Sequence, residues 1–120
     1  MLPKKNRIRK KADFGAVCRY GKTQSFDKIV LKIKKNDLGV MRLGISVGVK
    51  FSPKAVERNR IKRQIREFFR VNLGKMGSCA DIVVIVQKGA NEKNDLLIKL
   101  EKSLSKSGVI NNLSPTVKSS

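Results

Sequence analysis

The sequence predicts a single mixed α/β domain, on three observations. At 120 residues the chain has the length of one domain and is too short for two. Two segments alternate apolar and polar residues with the period of a half-buried strand, and a third, DIVVIVQ from Asp81 to Gln87, is apolar on both faces. Around these run segments whose apolar residues recur at helical spacing. With 40% hydrophobic residues the chain lies well above the composition of a disordered basic tail, so a packed core is expected.

In chain order, Lys4 to Lys11 reads KKNRIRKK, six basic residues of eight with no acid. Such a run repels itself and is expected to stay mobile until bound. From Lys11 to Tyr20, Phe14, Val17 and Cys18 stand at i, i+3 and i+4, the pattern of a short helix, with Gly21 placed to end it. Phe26 to Lys35 alternates, with Ile29, Leu31 and Ile33 on one side and Val30, Lys32 and Lys34 on the other. Asn36, Asp37 and Gly39 supply turn chemistry. Val40 to Val47 then alternates again, with Arg42, Gly44 and Ser46 opposite Leu43, Ile45 and Val47. The two segments read as an antiparallel hairpin with a basic, small-residue solvent face.

Ser52-Pro53 has the chemistry of a helix start, Ser as N-cap and Pro at the first helical position. The helical pattern runs on to Leu73, with Gly74 as stop. At 100° per residue, Ile61, Ile65, Phe68 and Phe69 gather on one arc, and Lys62, Arg63, Arg66 and Arg70 on the next. The Asp81 to Gln87 run is expected to be a central strand, parallel to the one before this helix. Asn91 to Leu104 forms a last helix with balanced charge. The domain therefore spans residues 1–104, with a basic arm over 1–11 and a polar, disordered tail over 105–120.

The formal net charge is +19, from 28 Lys and Arg against 9 Asp and Glu. A folded polycation of this kind needs an anionic partner. No apolar run approaches the roughly 18 residues that span a bilayer, and the basic N-terminus lacks the apolar stretch of a signal peptide. No membrane role is expected, and the expected location is cytoplasmic. Cys18 and Cys79 lie far apart and read as ordinary buried or half-buried thiols. With no His in the chain, Ser-His and Cys-His nucleophiles are excluded. The acids are scattered singly, so a metal-dependent nuclease centre within the protein is not indicated and no metal ligands are assigned. The GISVGVK stretch does not fit a phosphate-loop spacing and reads as a strand end and turn.

The basic helix is the informative element. From Lys50 to Lys75 nine basic residues meet only two acids, Glu57 and Glu67, and the mutual repulsion is relieved by a polyanion. Arg suits this because its planar fork pairs with phosphate. Arg58, Asn59 and Arg60 are consecutive and fan around the helix, so they cannot all address one flat surface. Arg58 projects near the apolar stripe, where it either reaches into a cleft or makes a plain salt bridge. A helix-turn-helix reading DNA is disfavoured because the helix lies between two strands, and the chain holds five Phe, one Tyr and no Trp for stacking. Shape and phosphate recognition of structured RNA fits better.

The stretch RLGISVGVKFSPKAVERNRIKRQIREFFR, from Arg42 to Arg70, closely resembles the signature of the bacterial ribonuclease P protein component, and NRIRKKADFGAVCRYG near the N-terminus extends the match. That resemblance implies an α+β sandwich of order αβββαβα. Its central, mostly antiparallel four-stranded sheet would have a left-handed βαβ crossover, against the usual rule, in a ribosomal-protein-like architecture. The additional strand falls near Lys22 to Ser25. It implies the protein subunit of a ribonucleoprotein whose RNA carries the active site and, with Mg2+ held mainly by that RNA, removes the 5′ leader of precursor tRNA. The protein would support activity at low Mg2+, carry no catalytic residue and be monomeric alone.

By position, the resemblance assigns Arg7, Arg9, Lys50, Arg58, Asn59, Arg60, Lys62, Arg63 and Arg66 to the catalytic RNA. It assigns Phe14, Cys18, Lys32, Arg42 and Ser46 to a cleft for the single-stranded leader. Cys18 and Lys32 stand where relatives often carry rings, which implies less base stacking and more phosphate contact. A ribosome-associated structural protein using the same helix is the competing reading, and a protein-only nuclease a remote third.

Overall fold

Both segments that alternate apolar and polar residues become strands, Ile29–Lys35 and Arg42–Val47, in the computed structural model, which describes residues 2–73, 80–92 and 95–107. Helix α1 spans Lys11–Tyr20, followed by β1 (Lys22–Phe26), β2 (Ile29–Lys35), β3 (Arg42–Val47), α2 (Ala55–Val71), β4 (Ala80–Val86) and α3 (Leu96–Ser107). The order is αβββαβα, and the short strand expected from the resemblance is β1.

β1 and β2 pair antiparallel through a two-residue turn, Asp27-Lys28, whose φ angles are 44° and 72°. Positive φ at both turn positions is the type I′ arrangement, whose twist suits a two-residue hairpin, and neither residue is glycine. Tertiary contacts hold the turn: the Gln87 amide donates to the Lys28 carbonyl at 3.0 Å, and the Asp27 carboxylate lies 3.4 Å from Lys99 Nζ.

The expected hairpin between β2 and β3 does not form. The sheet order is β1-β2-β4-β3, with β4 antiparallel to β2 and parallel to β3. The reason lies in β4 itself: Ala80 to Val84 are buried, and a strand apolar on both faces gains most by sitting between two others. Its central position and its parallel pairing with β3 match the sequence reading. The loop between β2 and β3 keeps the expected turn chemistry, with the Leu38 amide donating to Asn36 Oδ1 at 2.9 Å and Gly39 at φ 74°.

Register separates the two faces of the sheet. Ile29, Leu31, Leu43, Val47, Ile82, Val84 and Val86 form one core with Ile61, Ile65, Phe68 and Phe69 of α2 and Leu96, Leu100 and Leu104 of α3. Burying each of those α2 side chains contributes about 1.5–3 kcal/mol. The opposite face carries Lys32, Val83 and Gly44 in one cross-strand row and Lys34, Asp81 and Arg42 in the next. Helix α1 packs there, over β2 and β4, with Val17 and Val83 fully buried. Its C-terminus needs Gly21 for close approach rather than for φ, which is −72°. A Cβ at Gly21 would stand 2.5 Å from the Val17 carbonyl oxygen.

Four element ends differ from expectation. α2 starts at Ala55 rather than beside Ser52, because the Ser52 hydroxyl donates to Glu57 Oε2 at 2.6 Å and accepts from the Lys54 amide at 3.2 Å. It ends at Val71 with Asn72 Nδ2 bonded to the Phe68 carbonyl at 2.9 Å; the proposed stop at Gly74 lies outside the described residues, as does Cys79. α3 starts at Leu96, not Asn91, and continues to Ser107, three residues past the expected end, while the rest of the expected tail, 108–120, lies outside the described residues.

The arm has a defined place against the sheet. Lys4–Asn6 makes one 3-10 turn, Leu2 is 1% exposed, Asn6 Nδ2 donates to the Met41 carbonyl at 2.8 Å, and the Ile8 amide donates to the Leu43 carbonyl at 2.8 Å. A parallel bridge joins Arg7 to Leu43. The arm thus runs along the outer edge of β3.

Candidate nucleic-acid interface

Docking of the arm brings three remote segments together at the β3 edge. A cavity of about 430 Å3 is lined by Lys4, Arg7 and Arg9 from the arm, Phe14 from α1, Gly44 and its neighbours from β3, and Lys62 and Arg66 from α2. It holds five cations, one aromatic ring and no carboxylate. Lys62 and Arg66 share a face because they are four residues apart on a helix, and the buried stripe of Ile61, Ile65 and Phe68 fixes that face toward the rim of the sheet. None of the five cations makes an ion pair among the described residues.

Phe14 occupies this cavity because β3 carries glycine opposite it. A Cβ at Gly44 would approach two Phe14 ring carbons to 2.9 Å and Ile8 Cδ1 to 3.3 Å. Phe14, expected with the leader group, thus sits among residues expected to meet the catalytic RNA. Cys18 follows one helical turn later and is half-buried. Lys32 lies on the sheet face that α1 covers, its Nζ donating to Thr23 Oγ1 at 2.7 Å.

Arg66 belongs to two surfaces. With Asn59, Arg63 and Glu67 it also lines a shallow hollow of about 400 Å3 on the outer side of α2. Arg70, one turn on, is engaged by Glu67: the hydrogen bonds between them hold the Glu67 carboxyl below its ordinary range and raise the Arg70 guanidinium. Arg60 is exposed on the same helix with no ion pair among the described residues. Arg58 makes no salt bridge among the described residues. Its Nη1 donates to the Ser52 carbonyl at 2.9 Å and ties the helix start to the preceding loop.

Ser46 and Lys50 lie apart from the β3-edge cavity, around a hollow of about 630 Å3 at the end of the strands, with Phe51, Ile85 and Lys88. Lys88, Phe51 and Ile85 are absent from the sequence-derived set. Ile85 shares a row with Ser46 only through the β3–β4 register, which no local signal in the residues gives.

Arg42 is not a free cation. Its Nε and Nη2 bind the two oxygens of Asp81 at 2.8 and 2.6 Å, and its Nη1 reaches Asp13 Oδ2 at 3.3 Å. Asn36 Nδ2 adds a bond to Asp81 Oδ1 at 2.7 Å. Burial pushes the Asp81 carboxyl upward, but the bonds from Arg42 and Asn36, with the charges of Arg42 and Lys34, outweigh it and leave the group below its ordinary range. The bond to Asp81 likewise raises Arg42 above its ordinary value, against its own desolvation. Among the described residues no three carboxylate or thiol side chains converge as metal ligands, and no helix is long and apolar enough to cross a membrane.

The family model for Ribonuclease P matches residues 2–108. A ribonuclease P protein component from Clostridium botulinum strain Loch Maree is 42% identical over 111 residues, covering 90% of this chain and 99% of the relative. One from Thermotoga maritima is 40% identical over 90 residues, covering 75% and 76%. Among solved structures, the Staphylococcus aureus RNase P protein superposes with a TM-score of 0.81 at 37% identity, covering 88% of this chain and 98% of that one. The Thermotoga maritima RNase P protein gives 0.71 at 34%, covering 84% and 93%.

Proposed function

Since the chain belongs to the ribonuclease P protein family and is thereby the protein component of a tRNA-processing ribonuclease, we propose that its part in that enzyme is to bind RNA rather than to cut it. The observation that carries this reading is the β3-edge cavity, where five cations and one ring meet with no carboxylate. Such a site attracts phosphate from every wall and offers no group to activate water. The catalytic RNA is assigned to Arg7, Arg9, Lys62 and Arg66 at the cavity and to Asn59, Arg60 and Arg63 on the outer side of α2, with Lys50 beyond, while Arg58 serves by tying down the start of that helix. Arg forks pair with phosphate oxygens there.

The precursor tRNA leader is assigned to the sheet face beside α1, from Phe14 and Cys18 past Lys32 to Ser46. Phe14 supplies a base-stacking surface and Lys32 a phosphate partner. Arg42 contributes by holding α1 in place through Asp13. Magnesium ions are held mainly by the RNA in this reading, since the described side chains provide no cluster to hold one. The protein lowers the Mg2+ requirement by supplying fixed positive charge where two RNAs approach each other, and it acts as a monomer in the cytoplasm.

Reconstitution with a bacterial ribonuclease P RNA tests the proposal. The expected result is stimulated 5′ leader cleavage at low Mg2+, with none from the protein freed of RNA. Absence of stimulation overturns it, and leader cleavage by RNA-free protein assigns the chemistry to the protein instead.

A further inference from the structure

A second and larger basin lies on the other side of the arm. It measures about 970 Å3 and is bounded by Lys5, Arg9 and Lys10 on the arm side and by Lys34 and Lys35 at the end of β2. Its floor is the Arg42–Asp81 pair, and Asp13 and Asp37 also line it. The two walls are about 25 residues apart in sequence and meet only because the arm docks on β3.

Charge in this basin is not balanced internally. Arg42 engages both Asp13 and Asp81, so two of the three carboxylates are already paired. The five wall cations make no ion pair among the described residues. Cations facing each other across a concave surface repel unless an anion lies between them. The lining also differs from that of the β3-edge cavity in having no aromatic ring: its only apolar members are Ala16, Leu38 and Val40. A single strand bound here would leave its bases without a stacking partner. Double-helical RNA turns its bases inward and presents phosphates and sugars, so a ring-free cationic trough suits it.

We propose that this basin is a second RNA-backbone site, which takes a double-helical segment of the partner RNA between the arm and Lys34-Lys35. The inference rests on the RNA-binding function proposed above and adds to it an adjoining surface, which shares Lys4, Arg7 and Arg9 with the β3-edge cavity and has Lys34 and Lys35 to itself. Phosphates seat between the walls, while the Arg42–Asp81 floor stays paired and fixes the spacing between α1 and the strand ends.

The test compares the full chain with K34Q/K35Q and with a charge-matched control, K28Q/K102Q, whose lysines lie at the opposite end of β2 and on α3. Binding to a bacterial ribonuclease P RNA is measured across a salt series. Competition is measured with a blunt RNA duplex and with polyuridylate. The wall variant is expected to lower the slope of log affinity against log salt by about one to two units and to weaken duplex competition at least tenfold. Polyuridylate competition should change less than twofold, and the control should follow wild type. Equal effects from both variants, equal loss of duplex and single strand, or no change in the wall variant overturns the inference. Failure of the wild-type chain to bind the RNA at all removes the underlying function instead, so the two failures are distinguishable.

Discussion

Asp81 and Arg42 face each other across the parallel β3–β4 pairing, and both carboxylate oxygens are bound by one guanidinium, at 2.8 and 2.6 Å. The pair also reaches α1 through Asp13 and the β2–β3 loop through Asn36. One buried carboxylate therefore joins two strands, a helix and a turn.

Removing the cation from that pair leaves a buried charge with only Asn36 to satisfy it. Arg42→Met is expected to destabilise the fold by about 3 kcal/mol, measured by urea denaturation at pH 7.

The same pair gives a pH dependence with a defined sign. Because the folded Asp81 carboxyl lies below its ordinary value, its contribution is fully present above about pH 4, the unfolded carboxylate value. It is lost as the pH falls through the folded value. Urea midpoints between pH 2 and 7 should fall more steeply at the acid end for wild type than for Asp81→Asn. Parallel curves would remove Asp81 as a source of acid sensitivity.

Gly44 and Phe14 should behave as a coupled pair. Gly44→Ala is expected to cost about 1–3 kcal/mol through overpacking, and the cost should shrink in a Phe14→Ala background. A double-mutant cycle with no coupling would show that the ring does not rest on Gly44.

Arg58 and Arg60 are expected to separate folding from RNA binding. Arg58→Ala loses the bond to the Ser52 carbonyl and should cost about 1 kcal/mol of stability. Arg60→Ala should leave stability within about 0.5 kcal/mol and reduce the salt slope of RNA binding by about one unit. Reversed effects would exchange their roles.

Cys18→Phe adds a ring one turn from Phe14. Binding of precursor tRNA with a long leader should tighten by about 1–3 kcal/mol, with leaderless tRNA unchanged. Equal effects on both substrates would place Cys18 away from the leader.

Much of this architecture was legible in the residues. Ile61, Ile65, Phe68 and Phe69 lie in the core as their spacing required, and α1 spans the stretch that Phe14, Val17 and Cys18 marked. Strand partners were harder to read, because Ile29–Leu31–Ile33 and Leu43–Ile45–Val47 alternate in the same way whether adjacent or separated by β4. The double-sided burial of β4 was the clue to its place between them. Arg42 looked like a solvent-facing cation because its partner stands 39 residues later, and only register brings Asp81 opposite it. Lys99, 8% exposed, has one local partner, Asp95 four residues earlier, but the Asp27 carboxylate that also meets its Nζ comes from a remote turn that only the fold brings near. In the arm, six charges dominate the pattern, while the anchors Leu2, Asn6 and Ile8 are few and interspersed. The RNA-facing assignments came from resemblance and from charge density; local periodicity could not have supplied them.

The docked arm also bears on how the chain behaves before it meets any RNA. β3 is an outer strand whose free backbone groups would otherwise template pairing with another copy. By bonding Asn6 to Met41 and Ile8 to Leu43, the arm occupies part of that edge with a segment too highly charged to stack. A chain that lost its first eight residues would therefore present more of a bare strand edge to its neighbours.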